Sequence, residues 1–532
     1  MKNFNLTRLN GKTASIMLLF IMSNILMTSH IAKAQNSSYY LNSTPIGGTF
    51  SVGFGVQSLT SNSGDNNTAS GAYSLNSNTN GQSNVAIGTS ALRLNAVGSC
   101  NTAIGHNSLY FNNGNYNVAT GYSALFSNTT GGNNTANGRA SLYSNTTGHN
   151  NTANGNASLY SNTTGYDNTA NGFASLNFNT TGYKNTANGL ASLNFNTTGY
   201  NNTANGYSSL YSNTSGRDNT AIGFMALRSN IMNNYNTAIG ANALFYNGQG
   251  SNETIDEGNR NTAIGYGSMY NNTKGFYNTA LGVNSLSDNT SGFYNSAIGY
   301  GALSANVDGH DNTAIGLGAA NVNVNGHYNT ATGTRSLSAN TSGSNNTANG
   351  YYALKTNISG NYNTALGESA GYSSTGNGNV FLGYKAGFAE TRSNQLYVGN
   401  DQTNTILYGN FATGQVLLGK ADPTNYVFIG TRTLNVLGGI LADSVRVALS
   451  GNWSDHVFAE TYKLRTLKEV EDFIKANKHL PNIPSEKEVK ANGINVAEMN
   501  AKLLEKVEEL TLYLINQQKQ IDELRQLVKS KY

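Results

Sequence analysis

The chain has 532 residues, of which 38% are hydrophobic and 11% charged, with 60 glycines and a net charge of +4. That is too little apolar material for the several dense cores a globular chain of this length would need. It is also too little charge, with no basic stripe, for neutralising the phosphates of a nucleic acid. Such a composition would read as disordered if it lacked a period.

Residues 1–34 read as a secretory signal peptide. Lys2, Arg8 and Lys12 precede an apolar run from Ile16 to Met27, and Ala32-Lys33-Ala34 offers a small-x-small cleavage site. The run is short for a membrane span. The mature chain is therefore expected outside the inner membrane, at the cell surface or free in the medium. Cys100 is the only cysteine, which rules out an internal disulfide. Residues 35–50 read as a linker.

From residue 51 to 392 one phrase returns, Asn-Thr-Ala-x-Gly-x-x-Ser-Leu-x-x-Asn-Thr-Thr-Gly. Its alanine falls at Ala69, Ala86, Ala103, Ala119 and onward to Ala238, then from Ala263 to Ala365, mostly 17 residues apart. About twenty turns of so short a period predict a mainly β, parallel β-solenoid. Alternation sends Thr and x to one face and Ala and Gly to the other. The x column is aliphatic at Ile87, Ile104, Ile222, Ile239, Ile264, Leu281, Ile298 and Leu366, but Asn at Asn137, Asn154, Asn171, Asn188 and Asn205. It is therefore either solvent-facing or an axial ladder between chains. The Asn-Thr-Thr-Gly segment reads as turn chemistry. Each turn offers one reliable Leu, one Ala and an aromatic or aliphatic residue such as Tyr143, Phe178 or Tyr211. That is a thin core against the entropy of ordering the turn, so further burial against other copies of the chain is expected. One turn is longer: Ala238 and Ala263 stand 25 apart, across residues 248–257. Solenoids place such insertions on one face, and this one reads as a surface loop, since its carboxylates lack the spacing of a calcium loop.

Beyond the shaft the period fades. Residues 393–450 read as a short-strand connector, with strands at residues 395–398, 406–408, 416–418, 426–429 and 434–436. Residues 451–493 form a neck. Thr466 with Glu469 opens a helix bearing Leu467, Val470, Phe473 and Ile474 on one face, and Ser485 with Glu488 opens a second, which Gly493 ends. Between them Leu480-Pro481-Asn482-Ile483-Pro484 cannot be helical throughout. Residues 494–532 carry a heptad pattern. Its a positions are Asn500, Val507, Leu514, Ile521 and Val528, and its d positions Val496, Leu503, Leu510, Gln517 and Leu524. A coiled coil is expected, with Val496, Leu503, Val507, Leu510, Leu514, Ile521, Leu524 and Val528 as its core and Asn500 and Gln517 controlling register. The competing expectation is an amphipathic helix folded against its own domain.

The Asn-Thr-Ala-Ile-Gly and Ser-Leu phrases resemble the head repeats of trimeric autotransporter adhesins and related phage-fibre shafts. The resemblance covers residues 51 to 388 and implies a left-handed parallel β-roll in a homotrimeric fibre. The stretch from Ser444 through Trp453-Ser454-Asp455-His456 to Leu504 is similar to the end domain of tail-fibre-like proteins of the Bacteroidetes, which implies that the C-terminal domain drives trimerisation. Some tail-fibre ends cleave themselves with a Ser/Lys pair in the motif Ser-Asp-x-Arg-Leu-Lys. Here Ser454-Asp455 lacks that arginine and the next lysine is Lys463, too far displaced to match the pattern.

The function expected from these readings is that of an exported, non-enzymatic, adhesin-like fibre. Its partners would be itself, as a homotrimer, and a surface ligand such as a polysaccharide or a host or cell surface, with no nucleic acid. Carboxylates and bases are sparse on the shaft. The histidines His106, His149, His310, His327, His456 and His479 lack metal-ligand spacing, so no catalytic residue, metal or cofactor is assigned. The alternatives are a self-cleaving fibre chaperone and an ice- or crystal-binding solenoid using the stacked threonines Thr68, Thr102, Thr135 and Thr152.

Overall fold

The structure is a computed structural model that describes residues 39–40, 50–250, 256–421, 428, 433–447 and 456–532. The expected signal peptide, nearly all of the linker, residues 251–255 of the insertion, all but Phe428 of the strand expected at residues 426–429, and the Ser454-Asp455 pair lie outside the described residues. The chain divides into two units, Met1–Gly438 and Gly439–Tyr532.

The first unit is a parallel β-solenoid of about 22 turns. Twenty three-residue strands, from Val52–Phe54 to Val380–Leu382, line one side. Each pairs in register with the next, so that Thr135, Ala136 and Asn137 face Thr152, Ala153 and Asn154. In each strand the middle residue, alanine in all but the first and last, is buried while its neighbours reach the surface, as in Thr152-Ala153-Asn154. The alternation expected for the strand holds for Thr, Ala and x, whereas the glycine that follows, such as Gly155, lies past the strand end and is half-buried. Its asparagines form a surface ladder within one chain: Asn137 donates to Asn154 at 2.9 Å, Asn154 to Asn171 at 2.8 Å and Asn171 to Asn188 at 2.7 Å.

Between strands the backbone turns corners yet stays paired to both neighbouring turns. In the turn of Ala153, Thr152, Leu159 and Thr163 donate N–H to Asn168, Ser175 and Thr180 of the following turn, while Gly155, Ala157 and Asp167 donate to Asn137, Arg139 and His149 of the preceding one. The corners demand left-handed backbone. Ala157, Leu159 and Asp167 have φ of 56°, 50° and 55°, a conformation that disfavours each non-glycine residue by about 1–2 kcal/mol. Gly155 must be glycine on two counts. Its φ is 138°, and a Cβ there would sit 2.5 Å from the Gly172 carbonyl oxygen, so the glycine column sets how closely turns stack.

The interior is closed within one chain, and asparagine closes it. The expectation of a core too thin to stand without other copies counted the Leu and Ala columns and assigned the asparagines to turns. In the structure both Asn columns are fully buried. Asn151 receives its place from Asn134, whose Oδ1 accepts from both its N–H (3.0 Å) and its Nδ2 (3.1 Å), while Nδ2 also donates to Gly165 O at 2.8 Å. Asn162 donates to Asn145 Oδ1 and to Gly165 O at 2.8 and 2.9 Å, and accepts from Asn179. A buried amide is tolerated when its donors and acceptor are matched, and stacking identical turns matches them automatically. The long turn respects this rule: Asn247 still donates to Gly258 O at 2.8 Å and accepts from Asn272 at 2.9 Å. The insertion therefore leaves the stack without disturbing the register.

At its C-terminal end the core changes composition. Phe381 takes the alanine position, pairing with Ala365, while Gly371 and Gly387 take the leucine positions on either side. A Cβ on Gly371 or Gly387 would stand 2.4 or 2.2 Å from the Phe381 ring, so one aromatic fills the space that leucines fill elsewhere. Tyr397 and Tyr408 continue the column, both buried, with ring centroids 5.8 and 5.1 Å apart along the series. The parallel register runs past residue 392 into Gln395–Gly399, then reverses: Gln395–Gly399, Thr405–Asn410 and Gln415–Ala421 are antiparallel neighbours, and Leu434–Val436 pairs parallel with the last. The strands expected at residues 395–398, 406–408, 416–418 and 434–436 are present.

The second unit holds helices α1 (Leu467–Asn477), α2 (Glu486–Asn492) and α3 (Val496–Lys531). Both expected capping boxes form, at Thr466/Glu469 and Ser485/Glu488, and Gly493 caps α2 with φ of 66°. Asn495 caps α3, accepting from the N–H groups of Ala497 and Glu498.

Candidate interaction surfaces

The expected core residues of the terminal helix share one stripe of α3, and that stripe is bare. Val496, Leu503, Val507, Leu510, Leu514, Ile521, Leu524 and Val528 are each 38–59% exposed. The residues that α3 does bury are Ala497, Ala501 and Glu508, none of them at a or d. Polar contacts tie the neck to α3. The Tyr462 hydroxyl donates to the Glu509 carboxylate, the Tyr513 hydroxyl to Arg465 O at 2.6 Å, and Asn482 to Glu505 at 3.1 Å. Lys506 bridges Glu505 and Glu509 at 2.9 and 2.7 Å, all three side chains being largely covered. Burial and the adjacent Glu509 carboxylate push the Tyr462 phenol up, so it stays a donor. Burial alone would raise Glu505; its bonds to Lys506 and Asn482 outweigh that and hold it below the usual carboxylate range. The alternative of a helix folded against its own domain is thus realised only in part: the neck's Leu467, Val470 and Leu480 share a groove with Leu503, Val507 and Leu510, yet all eight apolar a and d residues keep 38–59% of their surface exposed.

The solenoid offers a second kind of surface. From Ile222 to Ile315 the x column is unbroken aliphatic, and two residues further on a parallel column carries Phe224, Tyr266, Val283, Tyr300 and Leu317, all exposed. The threonines of the same strand face are mostly half-buried. Elsewhere aromatic rings stack turn upon turn. His149, Tyr166, Tyr183 and Tyr200 stand 5.1, 4.9 and 4.8 Å apart with planes within 6°; Phe276, Phe293, His310 and His327 stand 4.9, 4.7 and 3.9 Å apart. Rings stacked this way present edges, with their faces covered by each other. Sequence reading passed these ladders over, although recurrence at 17 in Tyr166, Tyr183 and Tyr200 was visible.

At the solenoid's C-terminal end lies a buried polar group. Glu390, 4% exposed, accepts from Arg392 Nη2 at 2.7 Å and from the Tyr397 hydroxyl, and Tyr408 donates to Gln395 Oε1 at 2.6 Å. Burial pushes Glu390 up, but these bonds together hold it below its usual range, while burial and Glu390 push the Tyr397 phenol well up. Every named group has its partner inside the cluster, which suits a structural closure. Among the described residues, no three His, Cys, Asp or Glu side chains gather as a metal site, and no helix is long and apolar enough to cross a membrane. Lys463 is exposed, and its suggested partner Ser454 lies outside the described residues.

No protein-family model, curated protein or solved structure matches the chain. The adhesin and tail-fibre resemblances therefore rest on the repeat phrases and C-terminal residues quoted above.

Proposed function

We propose that this chain is an exported, non-enzymatic fibre subunit that assembles as a homotrimer through α3 and binds surfaces through its repeated shaft. The observation that carries the reading is the uncovered heptad seam. Eight apolar side chains at a and d positions over a 36-residue helix are left about half exposed by their own unit, and a 3.5-residue period is complementary to another helix of the same period. The aliphatic strand face from Ile222 to Ile315 supplies a second contact between copies along the shaft. The edge-on aromatic ladders and polar corners supply the outward surface, where weak contacts repeated along each turn and over three copies sum to avidity. The ligand class is a repetitive polar surface such as a polysaccharide or a cell envelope.

Sedimentation equilibrium of the mature chain tests the assembly: a particle of three chains is expected, and a stable single-chain particle ends the reading. Surface binding is tested by comparing the assembled chain with a Leu510→Asp/Leu514→Asp variant on whole cells and on immobilised polysaccharide. Retention by the assembled form and loss by the variant are expected.

A further inference from the structure

α1 is as bare as α3. It carries Leu467, Val470, Phe473 and Ile474 along one face, yet buries none of its residues, with Leu467 65% exposed. An eleven-residue helix has little stability of its own in water and depends on covering its apolar face. Its own unit leaves a groove of about 540 Å³ open there, lined by Leu467 and Val470 of α1, Leu480 of the connector, and Leu503, Val507 and Leu510 of α3. Three of those six are a and d residues. The groove is therefore continuous with the heptad seam, and below it, from Leu514 to Val528, the same stripe carries on at 38–59% exposure.

A helix that pairs along the lower seam must enter the groove as it rises towards Leu503. Its period must match that of α3, and its apolar stripe must be long enough to span both parts. Among the described helices only α3 has that length, so the occupant is the α3 of a second copy of this chain. We infer that the neck is part of the assembly interface: α1 and Leu480 of one copy close over the Leu503–Leu510 segment of its neighbour, forming a collar around the upper coiled coil. This rests on the coiled-coil reading above and deepens it, because it assigns a partner to residues outside the heptad. It requires parallel copies in register, since only these bring Leu503–Leu510 of one chain to the groove of the next.

The test is disulfide capture in the full chain, with the exposed Cys100 first replaced by serine. Two differently tagged chains are co-expressed, one bearing only Leu467→Cys and the other only Leu510→Cys. A mixed covalent dimer is expected, in a yield similar to that of the homotypic Leu514→Cys control, which reports the lower seam. An assembled particle that cross-links at Leu514→Cys but gives no mixed dimer overturns the collar and leaves the coiled coil standing. A single-chain particle without either cross-link overturns both. Hydrogen exchange on the unsubstituted chain gives a readout free of variants. The amides of residues 470–477 are expected to slow at least about tenfold as concentration rises through the assembly midpoint, and unchanged exchange there overturns the collar.

Discussion

The two units solve the burial of apolar and polar groups in opposite ways. In the solenoid, each turn completes the next: Leu159, Ala153 and both asparagine columns have no exposed surface, and every step of the stack is internal to the chain. In the C-terminal unit the ordinary apolar residues of α1 and α3 lie open while charged Glu505, Lys506 and Glu509 are covered. The difference teaches that low hydrophobic content does not by itself call for other copies. Sequence-local repetition provides partners at fixed spacing, whereas a heptad helix has no second helix of its own to meet. The case for assembly thus rests on the tail and on the outer strand face.

The sharpest way to break that contrast is to remove the seam. Leu510→Asp with Leu514→Asp places two charges in it, and complete dissociation to one chain is expected by sedimentation, with the solenoid's circular dichroism and proteolytic pattern unchanged. If the shaft also unfolded, the solenoid interior would not be self-sufficient. The next largest effect is expected at Gly172, where φ is 137° and a Cβ would meet the Gly189 carbonyl oxygen at 2.5 Å. Neither the conformation nor the contact can relax without moving backbone in two turns. Gly172→Ala should destabilise the local stack by about 4 kcal/mol, among the largest effects of single substitutions. Hydrogen exchange should place the loss at the neighbouring turns, with α3 unaffected.

A smaller effect is expected from the asparagine ladder. Asn162→Ala would deprive Asn145 Oδ1 of its donor and Asn179 Nδ2 of one of its two acceptors, leaving it Gly182 O, at about 1–3 kcal/mol for each buried group left unmatched. Asn162→Asp keeps the shape and the acceptor but places a carboxylate against Asn145 Oδ1, and should be at least as damaging. Denaturant melting of the two variants against Asn137→Ala, at the surface ladder, separates the buried from the exposed column; little loss is expected at Asn137.

That contrast also marks what could be read from the sequence and what could not. The period, the buried alanine, the glycine column, both capping boxes and the terminal helix were legible because each is a local or strictly periodic signal. The Asn151 and Asn162 columns were not, because asparagine favours turns and buried ladders alike. Only the stacked register, which brings Oδ1 of one turn to Nδ2 of the next, decides between them. The exchange of Ala and Leu for Phe381, Gly371 and Gly387 was hidden for a similar reason, since it conserves volume across two columns rather than residue type in one. On α3 the seam itself was legible. Which face the neck would cover was not, since it depends on Tyr462, Tyr513 and Asn482 reaching Glu509, Arg465 and Glu505.

The smallest expected effect is a dependence on pH at the solenoid's C-terminal closure. The Glu390 carboxyl is held below its ordinary value by Arg392 and Tyr397 despite its burial, so the folded state favours the charged form. Its contribution is fully present above the unfolded carboxyl value of about 4.3 and fades as pH falls through the lower folded value. The Tyr397 phenol is shifted the other way, by burial first and Glu390 second, so its contribution is present below about pH 10 and is lost as pH rises further. Protection of the amides from Gln395 to Asn410 should therefore hold between these limits and weaken outside them, with the turns around Ala153 unchanged. Glu390→Gln should remove the acid limb, since the amide cannot titrate, while leaving the alkaline limb in place. A variant that still lost protection only in acid would show that another group sets the limit. It would also separate the closure from the turns around Ala153, whose fully buried side chains among the described residues are Ala, Leu, Ser and Asn.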